Sequence, residues 1–299
     1  MLDRIHILLT YSCPLRCKHC FVFGDPQAKG TFTTAQITRL LSQIQELGSI
    51  KWIFFEGGEP FYHYPLLLQG LRRACEKGFS VGVITNGYFA RSEQTAARFL
   101  RPLKDMGVAK LCVSDDPLHY RSTQDSPAKR TLRAAFQLGL PAGRVCVESS
   151  TLDQSLDPGR MGPEMRTRFN LKWRGRAAGK LAPLLPFEAW GTFTRCPNQD
   201  LADPHRLDID AYGNVQICQG ISIGNAWETP LSTLLEDYHA DVHPILAPLH
   251  RGGPAALAEA HRFDPTETYA EPCHLCYATR QSLIDRFPEY LAPRQVYGL

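Results

Sequence analysis

The chain has 299 residues, of which 43% are hydrophobic and 21% are charged, a composition typical of a globular protein with one large domain and a smaller one. Its formal net charge of +3 gives no broad electrostatic case for nucleic acid or an anionic membrane as a partner. It has neither a secretory signal pattern nor an apolar stretch near the roughly 20 residues of a membrane span, so we expect a cytoplasmic protein.

The first two thirds of the chain alternate β-like segments with segments of helical periodicity. A capping box at Thr33 and Gln36 begins the first helix, and Gly48 ends it. Strand–helix alternation with short connections predicts a parallel sheet covered by helices, so the fold class is α/β with a partial (β/α)6 TIM-type barrel. The strands are expected at residues 4–10, 52–55, 81–85, 111–114, 145–148 and 171–174, with later helices at 64–77, 92–106 and 127–138.

The pattern changes after about residue 182. Two β-like segments flank Ala-Tyr-Gly and predict a hairpin in which Gly213 supplies an unusual backbone angle. We therefore predict a barrel domain at residues 1–182 and a small C-terminal domain at residues 183–299. The hairpin strands are expected at 206–210 and 214–218, and helices at 231–237, at 254–261 and after Cys276.

Three cysteines follow the first predicted strand on one short loop. Cys13, Cys17 and Cys20 read Cys-x3-Cys-x2-Cys, with His19 just before the last of them. Three thiolates at this spacing can hold three irons of a cubane [4Fe–4S] cluster and leave the fourth iron without a protein ligand. An open metal position is where chemistry occurs, whereas a complete ligand shell is usually structural. Taken alone, the motif is also compatible with a zinc knuckle or with chance.

Further motifs lie at the ends of the following strands, where a barrel of this type has its active site. With the cysteine motif they make the chain resemble the radical S-adenosylmethionine (radical SAM) superfamily, in the order that this family shows. They are Gly57-Gly58-Glu59-Pro60 after the second strand, Thr85-Asn86-Gly87 after the third, Ser114-Asp115-Asp116 after the fourth, and Arg174-Gly175-Arg176-Ala177 after the sixth.

The resemblance implies a set of SAM contacts. The turn Gly57, Gly58, Glu59 and Pro60 would bind the amino group of the SAM methionine, because glycines allow close approach and Glu59 supplies negative charge. Arg176 would bind the SAM carboxylate through its guanidinium fork, the alternative being an ordinary surface arginine.

Four more positions carry contacts by the same resemblance. His19 would pack near the adenine. Asn86 belongs to the matching turn after the third strand. Ser114 and one adjacent acid, either Asp115 or Asp116, would contact the ribose or methionine part; the usual family pattern is Ser-x-Asp-Gly, so the departure here leaves open which aspartate acts.

Four cysteines form a second set in the C-terminal third of the chain. The pattern Cys-x16-Gly-x4-Cys followed by Cys-x2-Cys resembles the SPASM or Twitch extension of radical SAM proteins, and no cysteine follows it. The resemblance implies one auxiliary [4Fe–4S] cluster bound by four thiolates, with an electron-transfer or structural role. A zinc site with four cysteines is the rival, because spacing alone does not choose the metal. The four are Cys196, Cys218, Cys273 and Cys276.

The implied activity is reductive cleavage of SAM to a 5′-deoxyadenosyl radical, which takes a hydrogen atom from a substrate. The leading hypothesis for the substrate is a ribosomally made peptide. The alternatives are a small-molecule dehydrogenase or a cofactor-biosynthesis enzyme whose auxiliary cluster accepts an electron, and a non-catalytic zinc or iron–sulfur module. A one-electron reductant of flavodoxin or ferredoxin type is the expected partner, with neither nucleic acid nor a membrane.

One further cysteine is a catalytic candidate. Cys112 shares a strand face with Ser114 by period-2 alternation, so it is expected to point into the barrel. Some radical SAM peptide epimerases use a free cysteine as a hydrogen-atom donor. The alternative is that Cys112 fills the core as a small hydrophobic residue.

Overall fold

The computed structural model describes residues 2–120, 124–148, 166–184, 188–197, 200–265 and 268–299. Helices and strands alternate through its first half. The strands are β1 (Arg4–Thr10), β2 (Trp52–Gly57), β3 (Ser80–Thr85), β4 (Lys110–Ser114), β5 (Ala142–Glu148), β6 (Arg166–Asn170), β7 (Glu188–Ala189), β8 (Arg206–Asp210), β9 (Asn214–Cys218), β10 (Ile221–Asn225) and β11 (Thr268–Tyr269). The α-helices are α1 (Thr34–Leu47), α2 (Tyr64–Glu76), α3 (Glu93–Asp105), α4 (Pro127–Gln137), α5 (Arg176–Lys180), α6 (Leu231–Glu236), α7 (Leu246–Ala260) and α8 (Pro272–Leu283).

One nine-stranded sheet organises the molecule, in the order β10-β9-β8-β1-β2-β3-β4-β5-β6. Strands β1 to β6 are parallel and neighbours in chain order, which confirms the predicted partial barrel. The sheet is open, with β6 and β10 at its edges. Strand β8 pairs parallel with β1, and the β8–β9 hairpin and β10 extend this side as antiparallel strands. The predicted domain boundary at residue 182 stays a prediction.

Local signals in the sequence explain the helices around the sheet. Thr33 and Gln36 form the predicted capping box of α1, and Gly48 ends that helix with φ of 69°. Residues at the helical period on α1 pack with the outward faces of β1 and β2, so the apolar core lies between sheet and helices. None of the helices in the described ranges is both long and apolar enough to cross a bilayer.

The sixth strand was predicted at the wrong place. The structure has β6 at Arg166–Asn170, in register with β5, and residues 171–174 lie outside the sheet. Leu171 and Trp173 are buried instead against Leu181 and the start of the following short helices. Their alternating apolar pattern therefore reflects packing against a helix rather than a place in the sheet.

Two C-terminal helices also differ from the prediction. Helix α8 begins at Pro272 and therefore contains Cys273 and Cys276, which were expected to precede it. Their Cys-x2-Cys spacing places them one turn apart, and proline is favoured at a first helical position. Helix α7 begins at Leu246, earlier than predicted, and is interrupted by non-helical backbone at Gly252 and Gly253.

Candidate cofactor cleft and metal sites

The loop after β1 brings its three cysteines to the C-terminal edge of the sheet, where all three line one cleft. Two backbone N–H groups point at sulfur: that of Leu15 lies 3.4 Å from Cys13 Sγ, and that of Gly24 lies 3.2 Å from Cys20 Sγ. Burial raises the pKa of Cys13 and of Cys17 to about 12, because the thiolate form is desolvated. A bound metal cation reverses this preference, since a coordinating thiol is deprotonated.

Arg176 donates hydrogen bonds to the backbone of the cysteine loop. Its guanidinium donates to the carbonyl oxygens of Phe23 and Gly24 at 3.0 and 2.9 Å and to that of Cys17 at 3.3 Å, and its backbone N–H donates to the Cys20 carbonyl. The guanidinium also lies 5.4 Å from the centroid of the Phe23 ring. These contacts fix the geometry of the cysteine loop. Arg176 is not among the residues that line the cleft, so its predicted contact with the SAM carboxylate stays a prediction.

The Gly57-Gly58 turn lies directly on the loop after β1. The N–H of Gly58 donates to the Thr10 carbonyl at 2.6 Å, and the N–H of Glu59 donates to the Ser12 carbonyl at 2.9 Å. A Cβ at Gly57 would lie 2.3 Å from the Thr10 carbonyl oxygen, and one at Gly58 would lie 2.4 Å from that of Ser12. Only glycine allows this approach, so both glycines are required by the packing of two backbone segments.

Glu59 is completely buried and connects two turns of the cleft. Its Oε1 accepts hydrogen bonds from the Phe61 N–H at 3.0 Å and the Thr85 hydroxyl at 2.7 Å, and its Oε2 accepts from the Asn86 N–H at 2.8 Å. Burial raises the pKa of Glu59 to about 7, although these donors oppose the shift. Its carboxylate is thus already occupied by protein donors, and Pro60 begins the short 3₁₀ turn that follows.

Asn86 lies at the junction between that turn and the cysteine loop. Its Nδ2 lies 3.6 Å from Cys13 Sγ, its Oδ1 accepts from the Tyr88 N–H, and its carbonyl accepts from the Tyr120 hydroxyl at 2.7 Å. Asn86 therefore positions the first cysteine relative to the end of β3. Residues of both turns line the same cleft as the cysteines.

The motif residues Ser114, Asp115 and Asp116, at the end of β4, have different surroundings. Ser114 lines the cleft. The Asp115 carboxylate is directed away, toward Ser126 Oγ at 2.9 Å and Arg144 Nε at 3.1 Å. The Asp116 carboxylate lies 3.0 Å from His119 Nδ1 and accepts the Leu118 N–H. Both aspartates are buried and engaged with protein groups.

Two histidines meet beside the cleft. The His19 and His119 rings are 4.5 Å apart in an edge-to-face arrangement, and both line the cleft. Burial lowers the pKa of His19 to about 3, since the charged imidazolium would lose its hydration. His19 thus presents a neutral ring at the place where the resemblance puts an adenine. His119 is not among the SAM contacts that the resemblance implies, and its place just after the fourth strand was the signal in the sequence for it.

The four C-terminal cysteines come together from three parts of the chain. Cys218 ends β9, Cys273 and Cys276 lie in the first turns of α8, and the Cys276 thiol interacts electrostatically with those of Cys196 and Cys218. The donor set therefore suits a thiophilic metal centre. Burial raises the pKa of Cys218, but Arg174 and then Arg280 and Lys172 outweigh it, so that this pKa is lower than usual.

The cysteine donors of both sets are compatible with an iron–sulfur cluster or with zinc, since both centres take thiolate ligands.

A largely buried polar cluster on strands β1, β2 and β8 was missed by the sequence reasoning. His6 Nδ1 lies 2.6 Å from Glu56 Oε1, and a carboxylate oxygen of Asp208 lies within 4.8 Å of both. Glu56 lines the cleft. The available signal was its position next to Gly57 on β2, but the pairing with β1 and β8 depends on the sheet register. Cys112, on β4, is buried near Glu56, and burial raises its pKa.

The chain is similar to known proteins over different lengths. Residues 7–146 match the family described as the Radical SAM superfamily. The antilisterial bacteriocin subtilosin biosynthesis protein AlbA of Bacillus subtilis is 34% identical over 85 residues, 28% of this chain and 18% of that protein. The putative peptide biosynthesis protein YydG of the same organism is 25% identical over 130 residues, 43% of this chain and 40% of that protein. The chain thus matches less than half the length of these curated relatives.

A solved structure shares the fold over nearly the whole chain. The crystal structure of BtrN in complex with AdoMet and 2-DOIA has a TM-score of 0.53 and 17% identity, and the match covers 93% of this chain and 92% of that one.

Proposed function

Residues 7–146 form a radical SAM domain, and on that premise we propose that this protein binds a [4Fe–4S] cluster and SAM in the cleft at the C-terminal edge of its sheet. The proposal rests on one observation: residues from four successive motifs line the same cleft. Three cysteines from the loop after β1, the glycine turn after β2, Asn86 after β3 and Ser114 at the end of β4 all line one cleft. A cluster and SAM bound together supply a 5′-deoxyadenosyl radical to the substrate.

The residues of this chain bind, orient and shield. Cys13, Cys17 and Cys20 are the proposed cluster ligands, and Arg176 keeps their loop in place through the carbonyls that it contacts. Gly57 and Gly58 let their turn pack directly against the cysteine loop, so that the turn and the cysteines border one cleft. His19, neutral through burial, offers an apolar ring face for a base to pack against.

For the second set we propose an auxiliary [4Fe–4S] cluster held by Cys196, Cys218, Cys273 and Cys276. The resemblance of this cysteine pattern to the SPASM or Twitch extension supports iron over zinc. Four thiolates complete the ligand shell, which favours an electron-transfer or structural role over substrate binding at an iron. We also propose that the protein is an oxidoreductase.

We propose a ribosomally made peptide as the substrate. The support is similarity to AlbA and YydG, whose names assign them to bacteriocin and peptide biosynthesis. The proposal extends to a flavodoxin- or ferredoxin-type reductant, to a cytoplasmic location where the thiols stay reduced, and to no nucleic acid or membrane partner.

A small-molecule dehydrogenase is the second candidate, and one observation favours it. Glu56 lines the cleft, and its carboxylate lies 2.6 Å from Nδ1 of the buried His6. Oxidation of an alcohol to a carbonyl releases a proton together with the hydrogen atom and the electron, and such a pair is suited to accept it.

The proposed function is tested by its products. Protein reconstituted anaerobically with iron and sulfide should contain about eight irons per chain, as two cubane clusters require, and should convert SAM to 5′-deoxyadenosine when dithionite is added. The Cys13/Cys17/Cys20→Ala variant should form no 5′-deoxyadenosine. Zinc in place of iron, with no 5′-deoxyadenosine from the native protein, would support a non-catalytic module. Two assays separate the substrate classes. A mass shift in a short peptide encoded beside the gene would indicate a peptide substrate. Oxidation of compounds in a panel of polyols would indicate a small-molecule dehydrogenase.

A further inference from the structure

Two buried arginines flank the C-terminal cysteine set. Arg174 precedes the short helix α5, and Arg280 lies in α8, one turn after Cys276. Arg174 is 6% exposed and Arg280 is 1% exposed. Each is close to the thiols: Arg174 Nη1 donates to Cys218 Sγ at 2.9 Å, and Arg280 Nε donates to the Cys276 carbonyl at 3.3 Å.

Neither guanidinium has a carboxylate partner within the described ranges. The ion pairs of this protein include Arg144 with Asp115 and Arg206 with Asp208, but none involves Arg174 or Arg280. Arg280 uses its N–H groups on the Gln219 carbonyl and the Tyr297 hydroxyl, which are neutral acceptors. Arg174 Nε has no hydrogen-bond partner at all among the described residues.

Such an arrangement is costly unless negative charge is present. Burying a charged group without a counter-charge costs several kcal/mol, so buried cations in proteins are almost always paired. Cys218 Sγ is in contact with Arg174, and the thiols of Cys276, Cys218 and Cys273 interact electrostatically with Arg280. The Glu56 carboxylate also interacts with Arg174, without forming an ion pair. Positive charge beside four thiols therefore matches a metal centre that carries net negative charge, as a cubane with four thiolate ligands does.

Arg174 also faces the other site. Its guanidinium lies 5.6 Å from the centroid of the Phe21 ring, and Phe21 lines the cleft that holds the first three cysteines. The Arg174 side chain thus occupies the space between the two proposed cofactor sites. Arg176, two residues later, differs because its guanidinium is used on the carbonyls of the cysteine loop.

We propose that Arg174 and Arg280 are the counter-ions of the auxiliary cluster and that they raise its reduction potential. The reduced cluster carries one more negative charge than the oxidised cluster, so a nearby desolvated cation stabilises the reduced state more. The two arginines then favour the reduced form of this centre over its oxidised form. The inference rests on the auxiliary cluster of the proposed function.

The test is a reductive titration followed by electron paramagnetic resonance. The Cys13/Cys17/Cys20→Ala background leaves the auxiliary centre as the sole proposed iron site. In that background, Arg174→Gln should lower the ratio of reduced to oxidised cluster at a fixed potential at least tenfold, which is about 59 mV for one electron. Arg174→Lys should retain most of the native ratio, because it keeps the charge. Arg280→Lys should likewise retain most of the native ratio of reduced to oxidised cluster, and Arg280→Gln should lower it.

Arg39→Gln is the matched control, since it removes one positive charge from an exposed side chain next to Trp227 and should leave the ratio unchanged. Circular dichroism checks that each variant is folded. About four irons per chain with the same potential in Arg174→Gln and in the parent would overturn this inference while leaving the auxiliary cluster in place. A folded parent that binds no iron would overturn both the inference and the auxiliary cluster.

Discussion

The Glu59 carboxylate has a structural role in addition to its predicted contact with the SAM amino group, which stays a prediction. The sequence suggested a negative charge directed at an ammonium group. In the structure both oxygens accept hydrogen bonds from Phe61, Thr85 and Asn86, so that the side chain ties two turns of the cleft together. The motif was visible in the sequence, but the direction of the carboxylate was not, because it depends on donors 26 and 27 residues away.

Glu59 should make stability depend on pH. Its pKa is raised from 4.5 to about 7. Between these values the folded state holds a proton that the unfolded state has released, so the contribution to the free energy of unfolding is full below about pH 4.5 and is lost as the pH rises through about 7. Glu59→Gln should flatten the fall in stability across this window in urea denaturation, whereas Glu76→Gln, at an exposed position of α2, should keep the native slope. Equal slopes in all three proteins would contradict this.

Gly58 should tolerate no side chain. The Cβ of alanine would lie 2.4 Å from the Ser12 carbonyl oxygen and 2.5 Å from that of Tyr11, and backbone atoms cannot rotate away. We expect Gly58→Ala to lower the free energy of unfolding by about 1–3 kcal/mol and to reduce iron incorporation. Gly179→Ala, where a Cβ meets nothing within 4 Å, is the control and should behave as the native protein. Native stability and iron content in Gly58→Ala would show that the turn can shift.

Among the elements, the segment from residue 171 to α5 departs most from expectation. Its alternating apolar residues indicated a strand, but they pack under α5 and leave Arg174 and Arg176 on either side of the sharp turn at Gly175. That turn requires glycine, since φ is 62° and a Cβ would lie 2.6 Å from the Cys20 carbonyl oxygen. Period-2 alternation cannot distinguish a strand from an extended segment that packs against a helix.

Arg176 should act through the cysteine loop. Arg176→Ala would leave the carbonyls of Phe23 and Gly24 without their charged donor, so the loop should loosen. We expect the iron content to fall from about eight toward about four per chain, with loss of 5′-deoxyadenosine formation. Arg16→Ala is the control, because the exposed Arg16 pairs with Asp25, which also lies 3.6 Å from Arg176, but does not contact those carbonyls. Full iron content with weaker SAM binding in Arg176→Ala would instead support the predicted contact with the SAM carboxylate.

At the scale of the whole molecule, the order of the parallel strands could be predicted because each strand–helix unit carries its own local signals. The continuation of the sheet through β8, β9 and β10 could not, since β8 pairs with β1 across some 200 residues of chain and nothing local specifies that register. The same pairing assembles the His6–Glu56–Asp208 cluster and brings Cys218 next to Arg174. The candidate ligand cysteines were therefore visible in the sequence, whereas the groups around them were not.

The proposed function depends on a cluster iron in the cleft that has no ligand from the protein. Its most direct measurement is the paramagnetic resonance spectrum of the reduced Cys196/Cys218/Cys273/Cys276→Ala variant, which retains only the first three ligand cysteines of the two sets. Addition of SAM should change the g-values of the reduced cluster, because its amino and carboxylate groups enter the vacant position. A cluster that assembles and is reduced, but whose spectrum is the same with and without saturating SAM, would contradict the central claim.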